Sequence, residues 1–217
     1  MKVTIIYDNT SFRQDLQSDW GFSCLLDLDV LQPGSMRILF DTGADGRILL
    51  NNMEKLGIDP LSIDEVFISH PHFDHIGGLS EFLNKNNKVK VWVPPSLRGI
   101  KKAKEVITVK GPTELHKGIH STGELEGIEQ SLAVKTSRGI VIIVGCSHPY
   151  MGNILKAAKQ FGELFGIIGG LHGFSEFELF KDLGLICPTH CTQHKTELKK
   201  LYPQKYVEGG AGKIIEI

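Results

Sequence analysis

The residues predict a mixed α/β fold in which sheets are covered by helices. Three observations carry this. Short apolar β-type runs alternate with helical stretches along all 217 residues. That length suits one larger α/β domain, 1–217, and no Ser/Pro-rich linker, low-complexity tract or repeat marks a boundary inside it. Four of the β-runs stop within a few residues of a histidine, where loops at the carboxyl ends of strands gather ligand sites.

The elements follow in chain order. Val3 to Tyr7, Phe22 to Val30 and Met36 to Phe40 read as strands, with Gln32-Pro33-Gly34 the hairpin turn between the last two. Arg47 to Leu56 and Leu79 to Asn84 read as helices on either side of the strand Glu65 to Ser69. Strands are expected again at Lys90 to Val93, Glu105 to Lys110, Gln130 to Thr136 and Ile140 to Val144. The last third alternates helix and strand: Ile154 to Phe161, Leu164 to Ile168, Glu176 to Leu183, Gly184 to Cys187, Thr192 to Leu201 and Lys213 to Ile217. Thr192 is the expected N-cap of the last helix.

Composition excludes several classes. Lys plus Arg number 24 and Asp plus Glu 25, so the chain lacks the basic footprint of a nucleic-acid binder. Apolar runs such as Ile140 to Val144 are far short of the ~20 residues that cross a bilayer. The opening MKVTIIYDNT has too brief an apolar stretch for a secretory signal, and a cytoplasmic protein is expected. Four cysteines are too sparse for a disulfide scaffold; Cys24, Cys187 and Cys191 are read as small buried hydrophobes. The lysines of Lys85 to Lys90 and Lys101 to Lys104 are read as a solvated face.

The chemistry concentrates where β-runs end. Val66-Phe67-Ile68-Ser69-His70, Ile142-Ile143-Val144-Gly145-Cys146-Ser147-His148, Ile167-Ile168-Gly169-Gly170-Leu171-His172 and Leu185-Ile186-Cys187-Pro188-Thr189-His190 share the pattern, so the four histidines should converge. The first run continues as His70-Pro71-His72-Phe73-Asp74-His75-Ile76-Gly77-Gly78. Three imidazoles and a carboxylate there, with His148 and His190, exceed the ligands of one tetrahedral ion, so two metals are expected to share the loop. Imidazole and carboxylate suit zinc first, with iron or manganese as alternatives. A structural zinc site in Cys187 to His194 is disfavoured because the segment lacks two separated ligand pairs.

His-x-His-x-Asp-His after a strand, followed by Gly77-Gly78, resembles the signature of the metallo-β-lactamase superfamily of metal-dependent hydrolases. Leu39-Phe40-Asp41-Thr42-Gly43, Gly145-Cys146-Ser147-His148 and Pro188-Thr189-His190 match further motifs, and Gly169-Gly170-Leu171-His172 with Thr189-His190-Cys191-Thr192 looks most like the dihydropterin ribofuranosylaminobenzene phosphate synthase-like subfamily. The resemblance implies a four-layer αββα sandwich with a dinuclear site at one edge. It puts His70, His72 and His148 on one metal and Asp74, His75 and His190 on the other. Many members carry a bridging Gly-Asp where this chain has Gly145-Cys146, so either Cys146 or nothing takes the bridging place; a bystander thiol is the reading taken. His116 and His120 are the fallback for the third ligand.

Asp41 is expected to accept the spare N–H of a ligand histidine rather than to form an aspartic protease dyad, since its Asp-Thr-Gly-Ala loop occurs once. After one carboxylate and one hydroxide are counted, two divalent ions leave a site near about +2, which favours a small anionic substrate. The expected reaction is hydrolysis of a phosphate ester or phosphodiester by hydroxide that the metals make available at neutral pH. Asp74 and His172 are the catalytic candidates, His172 as a proton donor outside the metal shell. A di-iron redox protein and a non-catalytic metal-dependent ligand sensor are the alternatives.

Overall fold

The computed structural model describes residues 1–28 and 36–217. Among these residues the first sheet holds seven strands. They are β1 (Lys2–Tyr7), β2 (Ser23–Leu28), β3 (Met36–Phe40), β4 (Glu65–Phe67), β5 (Lys90–Val93), β6 (Glu105–Thr108) and, at the edge beside β1, the final strand β13 (Ile214–Glu216). The second holds six: β7 (Thr113–His116), β8 (Ile119–Ser121), β9 (Leu132–Thr136), β10 (Gly139–Val144), β11 (Leu164–Gly170) and β12 (Leu185–Thr189). The predicted hairpin turn at Gln32-Pro33-Gly34 and the end of the strand predicted to Val30 lie outside the described residues, but β2 and β3 pair antiparallel as that hairpin requires.

Each sheet is antiparallel on one side and parallel on the other. β3, β4, β5 and β6 run parallel in the first, and β10, β11 and β12 in the second. Parallel neighbours need crossovers, and helices supply most of them. Helices α1 (Gly46–Lys55) and α3 (Leu79–Lys85) follow β3 and β4; α4 (Met151–Lys159) follows β10 and α5 (Lys195–Leu201) follows β12. A single turn, α2 (Phe73–Ile76), falls between β4 and α3.

Three apolar layers make the four-layer αββα sandwich. Along β10 the side chains alternate: Val141 and Ile143 join Ile5, Leu26, Phe40 and Phe67 between the sheets, while Ile140, Ile142 and Val144 pack under α4 with Ile154 and Ala158. Leu25, Leu39 and Val66 meet Leu49, Met53 and Phe82 of α1 and α3 on the opposite face. Burial on both faces explains why these strands read as continuous apolar runs.

The structure corrects two elements and adds others. Glu176 to Leu183 forms only a 3-10 turn, Phe177–Phe180. Phe174, Phe177 and Phe180 recur every third residue and their rings pack together, 5.9 and 4.6 Å between centroids, which suits three residues per turn. Thr192 is not the N-cap of α5, which begins after His194 without a side-chain cap. Its hydroxyl instead donates to the Thr189 carbonyl at 2.7 Å and accepts from Leu171 N–H at 2.9 Å, tying the ends of β11 and β12 together. β7, β8 and α2 were not expected, because their segments are too short and too polar for a periodic signal. Among the described residues no helix is long and apolar enough to cross a membrane.

Candidate metal centre

The parallel halves of both sheets direct their carboxyl ends to one edge. Asp41 follows β3, Ser69 to His75 follow β4, Cys146 and His148 follow β10, His172 follows β11 and His190 follows β12. Backbone strain collects there: Asp41, Ser147, His172 and His190 have φ of 51°, 60°, 46° and 45°. Two glycine positions show how closely the loops meet. A Cβ at Gly78 would collide with the Thr42 carbonyl, and one at Gly145 with the Ser69 hydroxyl.

The turn α2 explains how one short loop serves two places. His75 N–H donates to the His72 carbonyl at 3.0 Å, which closes the turn and buries Asp74 and His75 while His72 stays at the surface. His72 Nδ1 lies 3.1 Å from His148 Nε2, and the His70 ring is 4.6 and 4.8 Å from the rings of His72 and His148. Asp74 Oδ2 lies 3.2 Å from His190 Nε2 and 3.9 Å from His75 Nε2, with the His75 and His190 rings 5.0 Å apart. The two groups abut through His70 and His75, whose ring centroids are 4.1 Å apart.

Cys146 sits where they meet. Its sulfur is 3.2 Å from His75 Nε2, and within 4.8 Å of ligand atoms of both His70 with His148 and His75 with His190. His172 lies on the His148 side, ring centroids 5.2 Å apart, and is exposed. The fallback histidines lie elsewhere. His116 Nε2 is 3.0 Å from the carboxylate of Glu65, which begins β4, and His120 stacks on Phe161 at 4.3 Å.

Supporting residues set the tautomers. Asp41 Oδ2 is 2.7 Å from His75 Nδ1, as the sequence reading expected of Asp41. It also accepts from the Ser69 hydroxyl at 2.6 Å, and Ser69 Oγ is 2.9 Å from His70 Nδ1. One carboxylate therefore orients two imidazoles, the second through a hydroxyl. His190 Nδ1 is 2.8 Å from Asn9 Oδ1. In each ring Nδ1 carries the proton and Nε2 offers its lone pair to the interior. His70 Nε2 and His190 Nε2 are buried without a hydrogen-bond partner. Such orphaned acceptors, converging with a carboxylate and three more imidazoles, fit divalent transition-metal ions.

Electrostatics agree with metal-ready ligands. Burial, reinforced by the neighbouring imidazoles, keeps His70 well below the ordinary histidine range, and burial does the same for His75. His148 is lowered to about 4 by burial and by His72 and His172. Burial opposes ionisation of Asp74, but the facing His190 and His75 imidazoles hold it below the usual carboxylate range.

Five participants were not read from the sequence or were read differently. Asn9 and Ser69 orient ligand candidates as described, and Trp20 Nε1 donates to Asp74 Oδ2 at 2.9 Å. Glu129 is fully buried and accepts from the backbone N–H groups of Gly145, Cys146, Ser147 and His148 at 2.9 to 3.1 Å; burial pushes its carboxyl up to about 7 against the pull of those amides. Cys24 and Cys187 lie in the core between the sheets as expected. Cys191 is buried as expected, but it faces Cys146 and His172 at the edge of the site. Of the two facing thiols, Cys146 is pushed up by its hydrogen bond with Cys191 and by burial, and Cys191 is drawn down to about 6, chiefly by the same hydrogen bond.

Comparison with known proteins gives concordant findings. The family described as the metallo-beta-lactamase superfamily matches residues 30–145. The 7,8-dihydropterin-6-methyl-4-(beta-D-ribofuranosyl)-aminobenzene-5'-phosphate synthase of Methanocaldococcus jannaschii is 28% identical, with 98% of this chain and 95% of that protein covered. Among solved structures, Tm1679, described as a metal-dependent hydrolase of the beta-lactamase superfamily, superposes with a TM-score of 0.79 at 24% identity over 100% of this chain and 99% of its own. Zinc-bound PqqB from Methylobacterium extorquens superposes with a TM-score of 0.67 at 10% identity over 100% of both chains.

Proposed function

The chain belongs to the metallo-beta-lactamase superfamily, and from that premise we propose that it is a metal-dependent hydrolase acting on a small anionic phosphate ester or phosphodiester. The observation that carries this reading is the pair of donor groups sharing one edge, each with a buried Nε2 lacking any partner. His70, His72 and His148 would hold one divalent ion, and Asp74, His75 and His190 the other, zinc being the first candidate. When bound, the ions supply Lewis acidity, which lowers the pKa of water and stabilises negative charge developing on a substrate oxygen.

The chain's own residues do the rest. Asp41, Ser69 and Asn9 hold the imidazoles in the tautomer that leaves Nε2 bare, and Trp20 fixes the orientation of Asp74. A cleft of about 290 Å³ opens beside His148 and His172, walled by Tyr150, Met151, Phe174 and Glu176. It would receive the organic part of the ester while the phosphate meets the metals. His172, exposed and lining that cleft, would give a proton to the leaving oxygen.

Zinc-loaded protein should hydrolyse bis(p-nitrophenyl) phosphate or p-nitrophenyl phosphate faster than a thioester or a lactam. Inactivity toward both phosphate esters, combined with oxygen consumption by iron-loaded protein, would replace this reading with the redox one. His172→Ala should keep both metals and lower turnover by the ~10²-fold typical of a lost general acid. Loss of a metal would make His172 a ligand, and unchanged turnover would make it structural. A second reading rests on the full-length likeness to the archaeal synthase: the same centre would join an organic acceptor to the substrate in place of water.

A further inference from the structure

The loops after β10 and β12 bring two thiols together at the rim of the metal centre. Cys146 Sγ, Cys191 Sγ and a ring nitrogen of His172 lie within 4.8 Å of one another, and Cys191 Sγ is 3.8 Å from the Cys146 carbonyl oxygen. Gly170 makes the approach possible. A Cβ there would stand 2.8 Å from Cys191 Sγ and 3.3 Å from Cys146 Cα, between the two loops. Cys146 and Cys191 are 3% and 9% exposed, and the exposed His172 stands beside them. Both thiols thus lie at the rim beside an exposed imidazole, whereas Cys24 and Cys187, at 0% and 1% exposure, lie between the sheets.

We propose that Cys146 and Cys191 form an oxidation site, a reversible disulfide that draws Cys146 Sγ out of the position it shares between the two ligand groups. A disulfide requires the sulfurs to close to about 2.05 Å, so the Cys146 side chain must turn toward Cys191 and away from His75 Nε2, 3.2 Å from it in the reduced protein. The oxidant is a peroxide. Its O–O bond breaks as one oxygen joins the sulfur of the more exposed Cys191 to give a sulfenic acid and the other leaves as water. The Cys146 sulfur then displaces the sulfenic oxygen as a second water and forms the S–S bond. The two thiols lose two protons and two electrons, and the peroxide accepts them. A dithiol reductant reverses the step by exchange.

The bond rests on the two thiols alone and is independent of the two-metal reading. Full-length protein, both chelator-stripped and zinc-loaded, would be treated with hydrogen peroxide, alkylated and peptide-mapped, with bound zinc counted before and after. The expected result, in stripped and zinc-loaded protein alike, is a Cys146–Cys191 cross-linked peptide that dithiothreitol abolishes. Cys191→Ser should give no such peptide under the same peroxide, while Cys24→Ser should give it as the parent does. Separate alkylation of both cysteines after oxidation, or their oxidation to sulfinic acids without a cross-link, would overturn the proposal. A cross-link in stripped protein whose reduced form binds fewer than two zinc ions would count against the two-metal reading and leave the oxidation site standing.

Discussion

Replacing Asp74 with alanine is expected to reduce the bound metal from about two ions per chain to about one and to abolish turnover. Asp74 is the only carboxylate among the six proposed ligands, and so the only one that brings negative charge to offset a divalent cation. Its Oδ2 faces His75 and His190, and Trp20 Nε1 holds it there. Without it two neutral imidazoles remain in that group, too few protein ligands for tight binding. The group of His70, His72 and His148 keeps all three of its nitrogens. Elemental analysis of purified, dialysed protein reads the outcome directly, and two ions retained in Asp74→Ala would refute the assignment of the second position.

The largest effect on stability is expected from Glu129→Ala. Its carboxylate accepts four successive backbone N–H groups, Oε1 taking those of Gly145, Cys146 and Ser147 and Oε2 that of His148. Each buried donor left without an acceptor costs on the order of 1–3 kcal/mol, and a domain has only about 5–15 kcal/mol in total. A loss of at least ~4 kcal/mol corresponds to a fall of roughly 10 °C in the melting midpoint of a chain this long. Thermal denaturation of the metal-free variant checks this without involving the metal ligands. Glu129→Gln, which keeps an oxygen for three of the four donors, should lie between alanine and the parent protein. A midpoint unchanged in Glu129→Ala would mean that this carboxylate does not hold the loop.

The legibility of this protein follows from where its signals lie. Strands buried on both faces appear as uninterrupted apolar runs, so β4, β10, β11 and β12 could be read, and the histidines after them pointed to one shared edge. Asp41 was readable because a buried strand-end carboxylate needs donors and ligand histidines have N–H groups to spare. Glu129 was not, because its partners are backbone amides 16 to 19 residues further along, which leave no pattern in side-chain types. Asn9 and Trp20 reach the site from the segment linking β1 and β2, across the whole sequence from His190 in one case and more than fifty residues from Asp74 in the other. Cys191 is buried as read, but its neighbour was not legible, because only the pairing of β10, β11 and β12 brings the loop after β12 beside Cys146. The hairpin of β7 and β8 failed for the opposite reason: a short, polar edge pair has no alternation to detect.

Stripping the protein with a chelator and titrating zinc back while following phosphate-ester turnover tests the account most directly. No turnover in the metal-free protein, rising to a plateau at two zinc ions per chain, is the predicted result; turnover that persists without metal, or that saturates at one ion, would contradict it.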